Sequence, residues 1–337
     1  MFLGREYLDG LMIATILKCA MARRWKTAIL SVTSACNCRC SMCNIPNLPL
    51  KNLPIEAAFE LLRQCVKNKV AFLSVTGGEP FLYPHLSALV KRAHDLGIFV
   101  HIATNGTLPN KISEVKGQVD AIGFSIDSHI SSEHNRNRRH HGAFEKCLKG
   151  VEYCKELGIR AFANTPPNQY IIEKIEEYTR FINNELGIPV GFCFPETKGG
   201  EYFSKCDSII SGLKSEQIAN FFSAALRLKR SGYDIINTDI FLKEAMDYAK
   251  GNFNQTSRCG GGRVVYWIDW SGNVHPCFNK KAVLNRDMSW QKYNPSGCND
   301  CFVQCFREPS SFVYNLPYSL KDLKTWKRFL MKTTESK

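Results

Sequence analysis

The sequence has 337 residues, 44% of them hydrophobic and 22% charged, with a net charge of +13. That length and balance suit one large α/β domain, or one domain with an appendage, burying a real core. The 15 cysteines fall into two clusters plus scattered singles, which excludes a small secreted disulfide framework and reserves the clusters for metal. The charge admits an anionic substrate, a nucleic acid or an anionic membrane surface, or simply a basic proteome. Its local concentrations, Arg136 to His141 and Lys321 to Lys337, lack the interleaved aromatics of a nucleic-acid module. Glu6 and Asp9 interrupt the place where a secretory signal carries its apolar core, so a reducing, cytoplasmic compartment is expected.

Residues 1–25 predict a helix with Leu8, Leu11, Met12 and Ile16 on one face. Its apolar run is too short for a membrane span, which leaves a domain cap or a helix lying on a membrane surface. From Lys26 to about Pro195 short apolar runs at 27–33, 70–75, 98–103, 119–126, 159–164 and 189–194 read as strands. Helices are expected from Pro54 to Lys67, Pro84 to Asp95, Ala143 to Leu157 and Ile171 to Leu186, several closed by glycine. Alternating strands and helices imply parallel pairing, and the residue count suits a partial barrel of six units. Beyond it come a loop with Lys198-Gly199-Gly200, helices near 215–231 and 239–250, and a cysteine-rich region at 259–306. That region holds a hairpin around Asp269 to Asn273, and a basic helix is expected at 320–332.

Chemistry concentrates directly after the first strand. Ser34 to Asn44 carries Cys36, Cys38, Cys40 and Cys43, three of which stand in the order Cys-x3-Cys-x2-Cys. Three thiolates at this spacing can converge on one iron–sulfur cube and leave the fourth iron for a non-protein ligand, since four thiolates normally hold such a cluster. Read alone, the loop also admits zinc, a disulfide knot or inert buried thiols. One strand–helix unit later, Val75-Thr76-Gly77-Gly78-Glu79-Pro80 offers exposed amides and a carboxylate able to hold an ammonium group.

Together these two elements resemble the radical S-adenosylmethionine (SAM) superfamily, over a stretch from about Ala28 to Cys305. The resemblance implies that Cys36, Cys40 and Cys43 bind a [4Fe–4S] cluster whose open iron takes SAM, and that Gly77, Gly78 and Glu79 hold the methionine end. It extends to Thr104-Asn105-Gly106 after strand three, Ser125 and Asp127 at the end of strand four, Arg138 beyond it and Asn164 at the end of strand five. Cys38 is expected to be a bystander, and Met42 replaces the aromatic residue usual before the last cysteine. Cys259 and Cys277, spaced around Gly272, with Cys298, Cys301 and Cys305, resemble a SPASM or twitch appendage. Five cysteines imply one auxiliary [4Fe–4S] cluster, held by Cys259 and Cys277 with two of the last three; a zinc knuckle is the competing reading.

The expected architecture is therefore α/β. A capping or surface helix occupies 1–25, a partial (β/α)6 TIM-like barrel 26–212 and a helical connector 213–258. A SPASM/twitch-like domain follows at 259–310 and a basic helix at 311–337. The implied reaction is reductive cleavage of SAM to a 5′-deoxyadenosyl radical, which takes hydrogen from an organic substrate, with a reducing partner such as flavodoxin or ferredoxin. Substrate choice is expected from Phe194 to Lys198 and Tyr202. Cys193 is a candidate hydrogen donor, although a small core residue on a strand reads the same way; His134, His140 and His141 read as polar loop residues. A carbohydrate or small polar metabolite, or a lipid precursor met by peripheral membrane contact, is expected as substrate, ahead of a peptide. A non-catalytic iron–sulfur or zinc electron carrier is the reading from another class, and it would not need Gly77-Gly78-Glu79.

Overall fold

Alternation along the first strand decides how the sheet is used. In the computed structural model, which describes residues 26–195, 202, 210, 212–253, 257–280 and 298–315, β1 (Lys26–Thr33) sends Ala28, Leu30 and Val32 into the main core. Thr27, Ile29 and Ser31 point the other way, into a central cavity, as the two-residue period of a strand requires. The strands that follow are β2 (Val70–Gly77), β3 (Phe99–Thr104), β4 (Ala121–Ser125), β5 (Arg160–Thr165) and β6 (Val190–Phe192). They run in parallel in chain order, each beside its predecessor. The six expected strands thus form one curved wall, a partial (β/α)6 barrel.

Helices cover its outer face: α1 (Ile55–Lys67), α2 (Leu86–Asp95), α3 (Ser131–Arg138), α4 (Ala143–Glu156) and α5 (Ile175–Arg180). Pro54 precedes α1 at its N-cap, where a missing N–H costs nothing. Two features depart from expectation. The helix expected from Ile171 begins only at Ile175 and passes into a π-turn at Phe181–Glu185. And α3 was not legible, because Ser-Ser-Glu-His-Asn-Arg-Asn-Arg carries no apolar stripe.

After α6 (Ser215–Arg230) and α7 (Asp239–Ala249) the chain returns to the barrel. The hairpin of β7 (Val265–Ile268) and β8 (Val274–His275) forms, and β7 pairs in parallel with β1. The cysteine-rich region therefore extends the barrel's own sheet, giving the order β6-β5-β4-β3-β2-β1-β7-β8. Trp267 ties the junction, its indole N–H donating to Ser31 Oγ at 2.9 Å. A last helix, α8 (Gln304–Tyr314), closes the cavity. Among the described residues no helix is long and apolar enough to cross a membrane. The helices expected at 1–25 and 320–332, and Glu196, Thr197 and Lys198, lie outside the described residues.

Candidate active site

The loop after β1 lies across the C-terminal ends of β2 and β3, where barrel chemistry gathers, and its backbone is fastened on both sides. On one side Gly78 N–H donates to Thr33 O and Glu79 N–H to Ala35 O, both at 2.7 Å. A Cβ on Gly77 would stand 2.3 Å from Thr33 O, and one on Gly78 2.1 Å from Ala35 O. The two glycines are thus required by the approach of the cysteine loop itself. On the other side Arg39 and Ser41 donate their N–H groups to the carbonyls of Arg138 and Asn137.

Glu79 is fully buried. Its carboxylate accepts from Phe81 N–H at 3.1 Å, Thr104 Oγ1 at 2.8 Å and Asn105 N–H at 2.8 Å. Burial pushes its pKa up to about 7 while those donors pull the other way. The carboxylate is thereby a strut between the ends of β2 and β3. Asn105 passes the order on, its side-chain amide donating to Asn37 Oδ1 at 3.0 Å and reaching Cys36 Sγ at 3.8 Å.

Asp127 and Arg138 form a buried ion pair at 2.6 Å, and Asn137 donates its side-chain amide to the other oxygen of Asp127. Arg138 then reaches Cys40 Sγ at 3.6 Å, and its Nε has no partner among the described residues. Ser41 Oγ donates to Asn137 Oδ1 at 2.6 Å. The structure thus joins Asp127, Asn137 and Arg138 to the cysteine loop. Asn137 was missed in the sequence, although it neighbours Arg138.

The thiols differ in character. Cys38 is buried and hydrogen-bonded to the thiols of both Cys36 and Cys40. Those contacts lower Cys36, and with Arg138 they bring Cys40 down to about 6 against its burial. Cys43 is pushed up to about 12 by burial. Such a thiol becomes a thiolate only when a cation takes the place of its proton. The donor set, with one unpartnered guanidinium nitrogen beside it, fits an anionic iron–sulfur group.

Below the loop opens a cavity of about 650 Å³ lined by Phe72, Phe99, Phe162, Trp267 and Trp270, with Met42, Cys43 and Gly77 at its cysteine end. Its polar lining is sparse. Asn164 accepts from Cys193 Sγ at 3.1 Å, and His101 bonds Ser74 Oγ through Nδ1 at 3.0 Å. His101 is held neutral by burial, at about 4; its Nε2 has no partner among the described residues. Phe194, Pro195 and Tyr202 form part of the wall, as expected of residues that meet substrate. Cys193 faces the same space, its thiol raised to about 12 by burial. Ser125 ends β4 beside Asn164, and His134 is buried, Nδ1 accepting from Asp127 N–H at 3.1 Å.

The second cysteine group divides. Cys259, Cys277, Cys298 and Cys301 line one small pocket with Arg307. Cys305, in the first turn of α8, lines the central cavity instead. None of the three guanidinium nitrogens of buried Arg307 makes a hydrogen bond of ordinary geometry among the described residues, and the Cys259 thiol is within its reach. A buried cation sharing a pocket with four thiols and acting on Cys259 suits an anionic occupant.

A family profile described as Radical SAM superfamily matches residues 30–182. The chain is 33% identical over 307 residues to pre-heme d1 synthase of Dinoroseobacter shibae, covering 86% of this chain and 69% of that protein. It is 26% identical over 278 residues to the AdoMet-dependent heme synthase of Methanosarcina barkeri, covering 77% and 78%. Streptococcus suis SuiB superposes with a TM-score of 0.62 at 17% identity, over 81% of this chain and 67% of that one, which is a likeness of fold.

Proposed function

Because the chain belongs to the radical SAM superfamily, and so is an enzyme using a [4Fe–4S] cluster and SAM, we propose that Cys36, Cys40 and Cys43 are its cluster ligands. The observation that carries this reading is the loop seated at the mouth of the cavity, braced by Glu79 from one side and by Asp127–Arg138 from the other. When bound, the cluster and SAM supply a 5′-deoxyadenosyl radical that removes hydrogen from a substrate carbon. The protein's own share is placement and exclusion of water. Gly77 and Gly78 bring backbone close to the loop. Glu79, Thr104 and Asn105 fix the strand ends beside SAM's methionine portion. Arg138 offsets negative charge next to Cys40, and Ser125 and Asn164 remain for the rest of SAM. Cys259, Cys277, Cys298 and Cys301 are the proposed ligands of the auxiliary cluster, and Cys305 is left as a free thiol facing the cavity.

The substrate we infer is a largely apolar molecule of the lipid-precursor kind. The described cavity lining is mostly aromatic and aliphatic, with Asn164, His101, Gln304 and Glu308 among its scattered polar side chains, and contains neither Lys nor Arg. A carbohydrate would find partners there for only part of its hydroxyls, at a cost of about 1–3 kcal/mol for each polar group stranded. The names of two relatives support a second candidate, a heme-type macrocycle, which is also a large and mostly apolar body.

Anaerobic reconstitution should give about eight irons per chain for two cubes. Dithionite with SAM should yield 5′-deoxyadenosine, and Cys40→Ala should abolish it; cleavage surviving that change sinks the site assignment. Quenching of Trp267 and Trp270 fluorescence separates the substrate classes. A polyprenyl phosphate or a porphyrin should quench at micromolar concentration and a sugar nucleotide should not. The reverse order refutes the apolar reading.

A further inference from the structure

Arg307 is the most exceptional charge in the described structure. It sits on α8, 1% exposed, with its guanidinium 4.9 Å over the ring of Phe302. None of its three side-chain nitrogens makes a hydrogen bond of ordinary geometry among the described residues, although the Cys259 thiol is within its reach. Glu244, whose carboxylate feels the charge of Arg307, is also buried; one carboxylate oxygen accepts from Ser257 N–H at 2.7 Å and the other has no described partner. A buried guanidinium in this condition costs several kcal/mol unless an anion offsets it. The pocket it lines contains Cys259, Cys277, Cys298 and Cys301.

We infer that Arg307 is a positioning residue for the auxiliary site, holding the anionic cluster against α8 by its Cys259 edge and keeping its reduction potential high. This rests on the reading that those four cysteines hold a [4Fe–4S] cluster. Four thiolates outweigh the positive charge of the cube, so the assembled group is an anion, and an added electron deepens that charge. A fixed cation alongside therefore favours the reduced form. Net charge, burial and hydrogen bonds to sulfur are the levers a protein has on such a potential. The guanidinium supplies several donors in a rigid fork, and Phe302 and Glu244 keep it from turning away. The ring carries its face and the carboxylate draws its charge.

The test uses the full-length chain with Cys36, Cys40 and Cys43 changed to Ala, so that only the auxiliary site can load. Reconstituted protein is titrated with dithionite and followed by electron paramagnetic resonance. Arg307→Gln should lower the equilibrium constant for one-electron reduction at least tenfold, equivalent to about 59 mV, while Arg307→Lys should keep most of the native value. An unchanged potential in a fully loaded Arg307→Gln protein overturns the inference and leaves the cluster reading standing. If Arg307→Gln takes up no iron, Arg307→Lys must still load, because charge is what the site requires; failure of both overturns it too. One zinc and no iron in the parent protein removes the cluster reading itself, and the inference with it.

Discussion

Replacing Gly78 by Ala tests whether the glycines serve the cysteine loop. The added Cβ would lie 2.1 Å from Ala35 O, 2.6 Å from Ala35 C and 2.9 Å from Ser34 O, all of them backbone atoms. Restoring an ordinary contact of 3.4 Å needs a retreat of about 1.3 Å by a segment that ends in Cys36. The same retreat stretches the two 2.7 Å hydrogen bonds from Gly78 and Glu79 to that segment. Overpacking costs about 1–3 kcal/mol, and each buried hydrogen bond left unmade adds about 1–3 kcal/mol. The apo-protein should therefore lose about 3–9 kcal/mol in urea denaturation, and iron at the first site should fall severalfold on anaerobic reconstitution. Gly97→Ala is the control. Unlike Gly78 it has positive φ, at +71°, yet its Cβ would meet nothing within 4 Å, so it should cost about 1–2 kcal/mol of backbone strain and leave iron loading intact. If Gly78→Ala loads iron like the parent and loses only SAM binding, the loop-packing argument fails.

Three further outcomes are expected. Cys305→Ser should leave auxiliary iron unchanged while Cys301→Ser removes most of it; equal losses would contradict the division of these thiols between two spaces. Asp127→Asn should destabilise the fold by about 3–5 kcal/mol, because it strands the buried charge of Arg138. Adding Arg138→Met should recover part of that loss in a double-mutant cycle, and strict additivity would show that the pair does not act as one. Glu79 is raised from 4.5 to about 7 by burial, so the native state favours its protonated form. Its contribution is complete below pH 4.5 and is lost as pH rises through about 7, a fall of about 3 kcal/mol. Glu79→Gln should flatten that slope in apo-protein denaturation profiles, and parallel profiles would refute it.

What could be read from the chain was whatever lies contiguous in it. The spacing of Cys36, Cys40 and Cys43 and the Gly-Gly-Glu turn are local signals, and the alternation of apolar runs with glycine-closed helices was enough for six parallel strands. Relations between distant residues were not legible. Nothing near Asp127 says that its carboxylate is spent on Arg138 and Asn137, or that Glu79 is consumed by three donors from its own and the next strand end. The cysteines of the last group are separated by helical phase. Gln304 opens α8, so Cys305 turns with the helix toward the cavity, while Cys301 precedes it in extended chain. A Cys-x2-Cys-x3-Cys spacing carries no sign of that turn. The hairpin was expected, but not its place on the edge of β1, because pairing partners so far apart leave no local pattern.

That edge has a consequence for how the protein is made. Ser31 and Trp267, joined across it, stand 236 residues apart, so of the described strands β1 is made first and its neighbour β7 only after β2 to β6. Until Val265 to Ile268 emerge, Ala28, Ile29 and Leu30 lack their partner among the described strands on that side, leaving the kind of edge that recruits foreign strands. Contacts of such long range form slowly. A nascent chain stalled before residue 265 carries the first cysteine loop on a strand bare along one side, and truncations ending there should depend on chaperones in a way the full-length chain does not.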